Sequence, residues 1–210
     1  QVSPGDMPAL YPGPGTVRVR ELQRHGVGAE RLEAGNRAAL LLSGDAGSVK
    51  KGDTLAAPGS MVLTDRADVH LALLADSPFS VRHGAQLRLH HGAAALTCRC
   101  VFFDRTELLP GETCFAQLRL AAPMAARMGD RFVVRSLSPA ATVGGGVLLD
   151  LSPRHKKKDP GLAERLSALA SPDPLRRMAA ALELHAFPQT LEALAMAAGL
   201  SPAEGQAALD

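Results

Sequence analysis

Aromatic side chains are scarce in this 210-residue sequence, which has no Trp, one Tyr and six Phe. Aliphatic groups must therefore pack any core, and with 46% hydrophobic residues there are enough of them to build one. Long apolar runs are missing too. None approaches the ~20 residues that a helix needs to span a bilayer, so no membrane partner is expected. A charge excess is also lacking. The net charge of +2 creates no global basic field, so a nucleic acid would have to be met by local patches. Three Cys is an odd number, and no secretory signal precedes them. That argues against a disulfide framework and for free thiols in a reducing, cytoplasmic compartment.

Chemistry-bearing motifs are few. No G-x-x-x-x-G-K-[ST] phosphate loop occurs. Gly144-Gly145-Gly146 is glycine-rich but leads into Val147-Leu148-Leu149, which reads as a strand. Such a run implies a backbone that passes close to something, either another strand or an RNA backbone. Cys98-x-Cys100, with Cys114 further on, lacks the two-residue gap and four ligands of a usual metal site, so buried thiols are expected and no metal. His90-His91 reads as a solvated strand end. No Ser/His/Asp grouping or carboxylate pair has a telling spacing, so no catalytic residue is assigned. The chain opens on Gln1 and stops at Asp210 inside a helical pattern, which leads us to expect a fragment of a longer protein.

What is present is β-pattern and turn chemistry. Val17-Arg18-Val19-Arg20, Leu87-Arg88-Leu89-His90, Gln117-Leu118-Arg119-Leu120 and Phe132-Val133-Val134-Arg135 alternate apolar and polar residues, as strands with one buried face do. Fifteen Pro and twenty Gly punctuate them. Pro4-Gly5-Asp6, Lys51-Gly52-Asp53, Pro110-Gly111-Glu112 and Met128-Gly129-Asp130 share one turn signature, each ahead of a strand. This predicts a mainly β chain with two small β-barrels joined near Ala56-Ala57-Pro58-Gly59. Val17, Val19, Leu40, Leu55, Leu71, Leu118, Phe132 and Val147 are expected inside.

After Asp150 the character changes. Arg154-His155-Lys156-Lys157-Lys158 reads as a basic linker that is either solvated or in contact with phosphate. Asp159-Pro160 is expected to open a helix to about Ala170, and Asp173-Pro174 a second one over Leu175 to about Ala186. A third is expected over Thr190 to Ala198. Ser201-Pro202-Ala203-Glu204 is a capping box that starts a fourth. Helix, Gly-Leu-Ser turn, helix is a helix-turn-helix pattern, with Leu182, Leu191, Leu194 and Leu209 expected in its core.

Several segments together resemble the selenocysteine-specific elongation factor family. They are Val17 to Gly26, Ala34-Gly35-Asn36-Arg37-Ala38-Ala39-Leu40, Lys51-Gly52-Asp53-Thr54-Leu55, Thr97-Cys98-Arg99, Leu109-Pro110-Gly111-Glu112, Gly129-Asp130-Arg131-Phe132 and Thr142-Val143-Gly144-Gly145-Gly146. The resemblance implies two elongation-factor-type barrels followed by the start of a winged-helix module. Residues 1–58 would be barrel domain two without its first strand, 59–152 barrel domain three, and 153–210 a linker with an incomplete winged helix. It also implies selenocysteinyl-tRNA and the ribosome as partners. Winged helices beyond this chain would bind an mRNA hairpin. GTP and Mg would belong to a nucleotide domain outside the chain, which would itself hold no cofactor and perform no hydrolysis. Two other readings remain: the barrels of another translational GTPase that bind protein partners, and a DNA-binding regulator with a β sensor domain.

The same resemblance singles out site residues. Arg37 matches a neutral Asn in the aminoacyl pocket of elongation factor Tu, and His25 lines that pocket as well. A selenolate is anionic at neutral pH, whereas the serine that first charges the same tRNA is neutral. A guanidinium at ~4 Å with an effective dielectric near 20 would gain about 4 kcal/mol before desolvation. About 1.4 kcal/mol of it, if retained, is tenfold in affinity. Arg131, Arg135, Thr142, Gly144 and Gly145 match positions beside the tRNA T stem, although Ala141 stands where elongation factor Tu has Arg. The incomplete first barrel would expose strand edges, which raises the expectation of pairing between chains.

Overall fold

The computed structural model describes residues 1–154, 159–185 and 190–209. The lysine run 156–158 lies outside the described residues. The chain divides into two compact units, Gln1–Met61 and Val62–Asp210.

The first unit has five short strands: β1 (Ala9–Tyr11), β2 (Val17–Arg24), β3 (Val27–Ala29), β4 (Ala39–Gly44) and β5 (Thr54–Ala56). They form two open sheets, β1-β5 and β3-β2-β4, where the sequence had suggested a closed barrel. Three of the five strands are three residues long, and β2 spends both its edges on β3 and β4, so too few backbone groups remain to close a wall. Val17, Val19, Leu22 and Leu32 are buried, with Leu40 half-buried against them; Leu55 is half-buried. β2 and β3 are joined by His25-Gly26, a two-residue turn with φ of 53° and 80°. Positive φ at both positions matches the strand twist, which is why a Gly stands at the second.

The second unit closes. Its strands are β6 (Val62–Leu73), β7 (Val81–Arg82), β8 (Gln86–His91), β9 (Ala94–Phe102), β10 (Glu107–Leu108), β11 (Thr113–Ala126), β12 (Arg131–Arg135) and β13 (Thr142–Asp150). Six of them form an antiparallel barrel in the order β11-β6-β13-β12-β8-β9, and β9 pairs back to β11. The period-two pattern explains the interior. Val69, Leu71, Leu73, Leu87, Leu89, Ala116, Leu118, Phe132 and Val134 point inward and are all but inaccessible. Truncating one such Leu to Ala would cost about 2–5 kcal/mol. Val147 is only half-buried, because it faces the helices on the outer wall and not the barrel interior.

Four helices complete this unit: α1 (Leu162–Leu169), α2 (Pro174–His185), α3 (Leu191–Ala197) and α4 (Pro202–Ala207). α1 starts two residues later than the sequence suggests, after Gly161 in the left-handed region, because Asp159 closes a turn onto the Leu162 N–H and pairs with Arg165 at 2.7 Å. The Ser201/Glu204 capping box is formed, and Thr190 caps α3. Gly205 brings α4 against Ala195. Leu162, Leu166, Leu169, Met178, Ala181 and Ala195 pack on Met128 and Leu149 of the barrel. Leu191 and Leu194 join them half-buried, whereas Leu182 and Leu209 are exposed. In α2 the packed positions are Met178, Ala180, Ala181 and Leu184; Leu182 lies about 100° round from Ala181 and shares the outer side with Leu175. Among the described residues no β wing follows these helices.

One turn recurs four times. Gly5, Gly52, Gly111 and Gly129 have φ of 96°, 102°, 83° and 90°. In each turn the following acid accepts the N–H of the residue three before it: Ser3 to Asp6 at 2.8 Å, Lys50 to Asp53 at 2.7 Å, Leu109 to Glu112 at 2.8 Å and Arg127 to Asp130 at 2.8 Å. The acid's own N–H returns to that residue's carbonyl. Glycine supplies the left-handed φ and the carboxylate satisfies the otherwise free donor. In the last turn Asp130 Oδ2 also lies 2.9 Å from His91 Nε2. His91 is thus half-buried against a carboxylate, where the sequence reading made it a solvated strand end.

Partial burial pushes the Asp130 carboxyl up, but the His91 hydrogen bond, the Arg127 N–H and the positive charges nearby outweigh it and hold the pKa below the ordinary value. A depressed carboxylate stabilises the fold above its unfolded pKa, and the gain is lost as pH falls through the lower folded value. Asp130→Asn keeps an acceptor without the charge. Thermal melts should show the wild type losing Tm faster than Asp130→Asn below about pH 4; parallel curves would contradict this role.

Candidate functional site

The glycine run sits in β13, flanked by β6 on one side and β12 on the other. Its closeness to something is real, and the neighbours are strands. A Cβ on Gly144 would run into the Ala72 carbonyl, one on Gly145 would lie 2.5 Å from the Phe132 oxygen, and one on Gly146 would overlap the His70 oxygen. The wall can only close tightly there if this strand carries no side chains. Thr142, at the start of the strand, is exposed.

Beside it the outer wall carries arginines. Arg135 of β12 stands opposite Thr142 and opposite Arg88 of β8. Arg135 Nε is buried and donates to nothing among the described residues. Arg88 reaches only the Thr97 hydroxyl, at 3.4 Å. Arg131, at the other end of β12, is exposed opposite Val147. Like charges facing each other across strands repel, and a buried guanidinium nitrogen without an acceptor costs free energy. An anion on the wall here would relieve the repulsion.

In the first unit, the β2–β4 register ends at Gln23↔Ala39, so Arg24-His25 and Arg37-Ala38 lie at the same end of the sheet. Arg24 NH1 donates to Asn36 Oδ1 at 3.3 Å and ties the two segments. His25 and Arg37 are exposed, and neither guanidinium nor imidazole is engaged in a hydrogen bond or ion pair among the described residues. A groove of about 370 Å³ opens in the same unit, lined by Val19, Ala38, Leu40, Leu55 and Pro58 among others. Ala38 reaches it, while Arg37 and His25 are not among its lining residues.

The three Cys are free and buried in the second unit. Burial pushes Cys98 up to about 12 and Cys114 to about 11, and raises Cys100 as well, so all three stay as thiols. Among the described residues no three His, Cys, Asp or Glu side chains are grouped to hold a metal. No helix there is long and apolar enough to cross a membrane. Sequence reasoning missed Arg88, Arg99 and Arg119 as possible contacts. Their outward register is legible in the alternation, but their being neighbours across the wall is set by strand order alone.

Residues 64–155 match the family described as "Selenocysteine-specific elongation factor, beta-barrel domain". The chain is 34% identical over 168 residues to the selenocysteine-specific elongation factor of Desulfomicrobium baculatum, covering 80% of this chain and 26% of that protein. It spans about a quarter of the length of the curated relatives it matches. Among solved structures, a bacterial selenocysteine-specific elongation factor EF-Sec shares the fold with a TM-score of 0.75 at 24% identity, over 96% of this chain and 31% of that one. Translation elongation factor SelB from Methanococcus maripaludis, in its apo form, follows at 0.60 and 19%, over 72% of this chain and 37% of that one. With the six-stranded wall, its glycine strand and its turns all in the matched segment, the chain belongs to the selenocysteine-specific elongation factor family, whose barrel region it carries.

Proposed function

We propose that this chain is the tRNA-holding part of a cytoplasmic translation factor that delivers selenocysteinyl-tRNA to the ribosome at recoded stop codons. The observation that carries the reading is the Arg135–Arg88 pair beside Thr142, two cations facing each other across neighbouring strands of the wall. A T-stem phosphate is an anion that two such guanidiniums can hold. Arg131 extends the surface along β12. Gly144 and Gly145 contribute the tight course of β13 that sets Thr142 beside Arg135.

The aminoacyl end is read by Arg37 and His25. Their exposed, unengaged side chains can meet a selenolate once a second wall, from elsewhere in the whole protein, excludes water. The helix-turn-helix would lead into the modules that bind the mRNA hairpin, and GTP with Mg would be handled by a separate domain. Neither is work for the residues described above.

Arg37→Ala should weaken binding of selenocysteinyl-tRNA about tenfold or more while leaving seryl-tRNA nearly unchanged, measured by equilibrium binding with the whole protein. Equal weakening of both would remove the pocket role. Arg88→Gln with Arg135→Gln should weaken both tRNAs alike and flatten the salt dependence by about 1.5 in slope. An unchanged slope would refute the T-stem contact.

A further inference from the structure

A second row of arginines lies elsewhere on the same barrel wall. Arg119 of β11 is directly opposite Arg66 of β6 on one side and Arg99 of β9 on the other. All three are exposed. Directly opposed residues on neighbouring strands sit about 5 Å apart at Cβ, so three like charges are held in one line across the wall. That arrangement is unfavourable by itself, and little offsets it. Arg66 pairs with Asp65 at 3.1 Å. Among the described residues Arg99 reaches only the Gly84 carbonyl, at 3.4 Å, and Arg119 uses its Nε on Gln117 Oε1, at 2.9 Å. Gln117 in turn donates to the buried Asp68 carboxylate. This chain of bonds fixes the Arg119 side chain and leaves the outer edge of its guanidinium free. The register of β11 against β6 shifts immediately after Arg119.

We propose that Arg66, Arg119 and Arg99 form a separate binding surface for the phosphodiester backbone of an RNA, read without regard to base sequence. Planar guanidinium forks match phosphate oxygens bidentately. Most neighbouring positions of the same register are polar, with Gln86 opposite Arg99, Thr97 two residues before it and Gln117 beside Arg119; Val101, opposite Gln117, is apolar and half-buried. A protein partner would want an apolar or aromatic anchor at the centre, whereas nucleic-acid interfaces are polar and cationic. The surface is distinct from the Arg135–Arg88 place. Arg119, the centre of the row, and Arg135 are three strand steps apart either way around the six-stranded wall, on opposite sides of it, so one straight RNA helix cannot lie on both. Membership of a translation-factor family makes RNA the polyanion at hand, but the row does not depend on the aminoacyl reading.

The test uses the whole chain, with a short RNA duplex of arbitrary sequence and polyglutamate as probes, across a salt series. The triple variant Arg66→Gln, Arg99→Gln, Arg119→Gln should lower the slope of log K against log salt by roughly 2–3, at ~0.7–0.9 per lost phosphate contact. Replacing all three by Lys should keep most of the slope. Removing the mutual repulsion should leave the Tm of the Gln variant no lower than wild type. A wild-type slope in the Gln variant overturns the proposal. So does polyglutamate binding as tightly as RNA with the same loss on substitution, which would make the partner an acidic protein surface. Because the duplex carries no aminoacyl group, failure here and failure of the Arg37 experiment are separable.

Discussion

The barrel depends on a close approach of three strands. β13 runs between β6 and β12 with Gly144, Gly145 and Gly146 where both neighbours' carbonyl oxygens occupy the space of a Cβ. Everything on the outer wall inherits its position from that contact. It fixes the register that sets Thr142 beside Arg135, and it carries Val147 and Leu149 to the face where the helices pack. A strand with side chains there would be held away from one neighbour, and six strands would no longer close.

Electrostatics follow from that closure. A six-stranded wall has a small circumference, so outward residues on adjacent strands are close neighbours. Arg66, Arg119, Arg99, Arg88 and Arg135 lie on five strands in succession, although the chain as a whole has a net charge of only +2. The acids are used elsewhere. Asp6, Asp53, Glu112 and Asp130 close turns, and Asp68 is buried behind Gln117. These carboxylates are committed to local structure, and of the five wall arginines only Arg66 has an acidic partner, Asp65, among the described residues. That division gives a nearly neutral protein a locally cationic surface.

Local features were legible from the residues. The four Gly-acid turns, the capping box at Ser201 and the alternation of β8 and β12 each rest on contacts within a few positions, and each is found as read, whereas in β11 Gln117 is buried on Asp68. Features that need partners from afar were not. Closure of one barrel and not two depends on how many strands reach both edges of a sheet. The exposure of Leu182 depends on which side of α2 meets the barrel. His91 has a carboxylate partner only because β8 ends near the turn after β11, a neighbourhood 39 residues away in sequence.

By itself the sequence determined the turns, the starts of three helices, the inward and outward residues of most strands and the likeness to a translation-factor family. All of these rest on short-range backbone preferences or on motif order. Tertiary structure alone decided that the glycine run is filled by neighbouring strands, that the first unit stays open, and that arginines far apart in the chain stand side by side. The physical reason is that hydrogen-bonded pairing joins strands by edge complementarity, which individual residues do not encode, and charge patches form only after that pairing has chosen their neighbours.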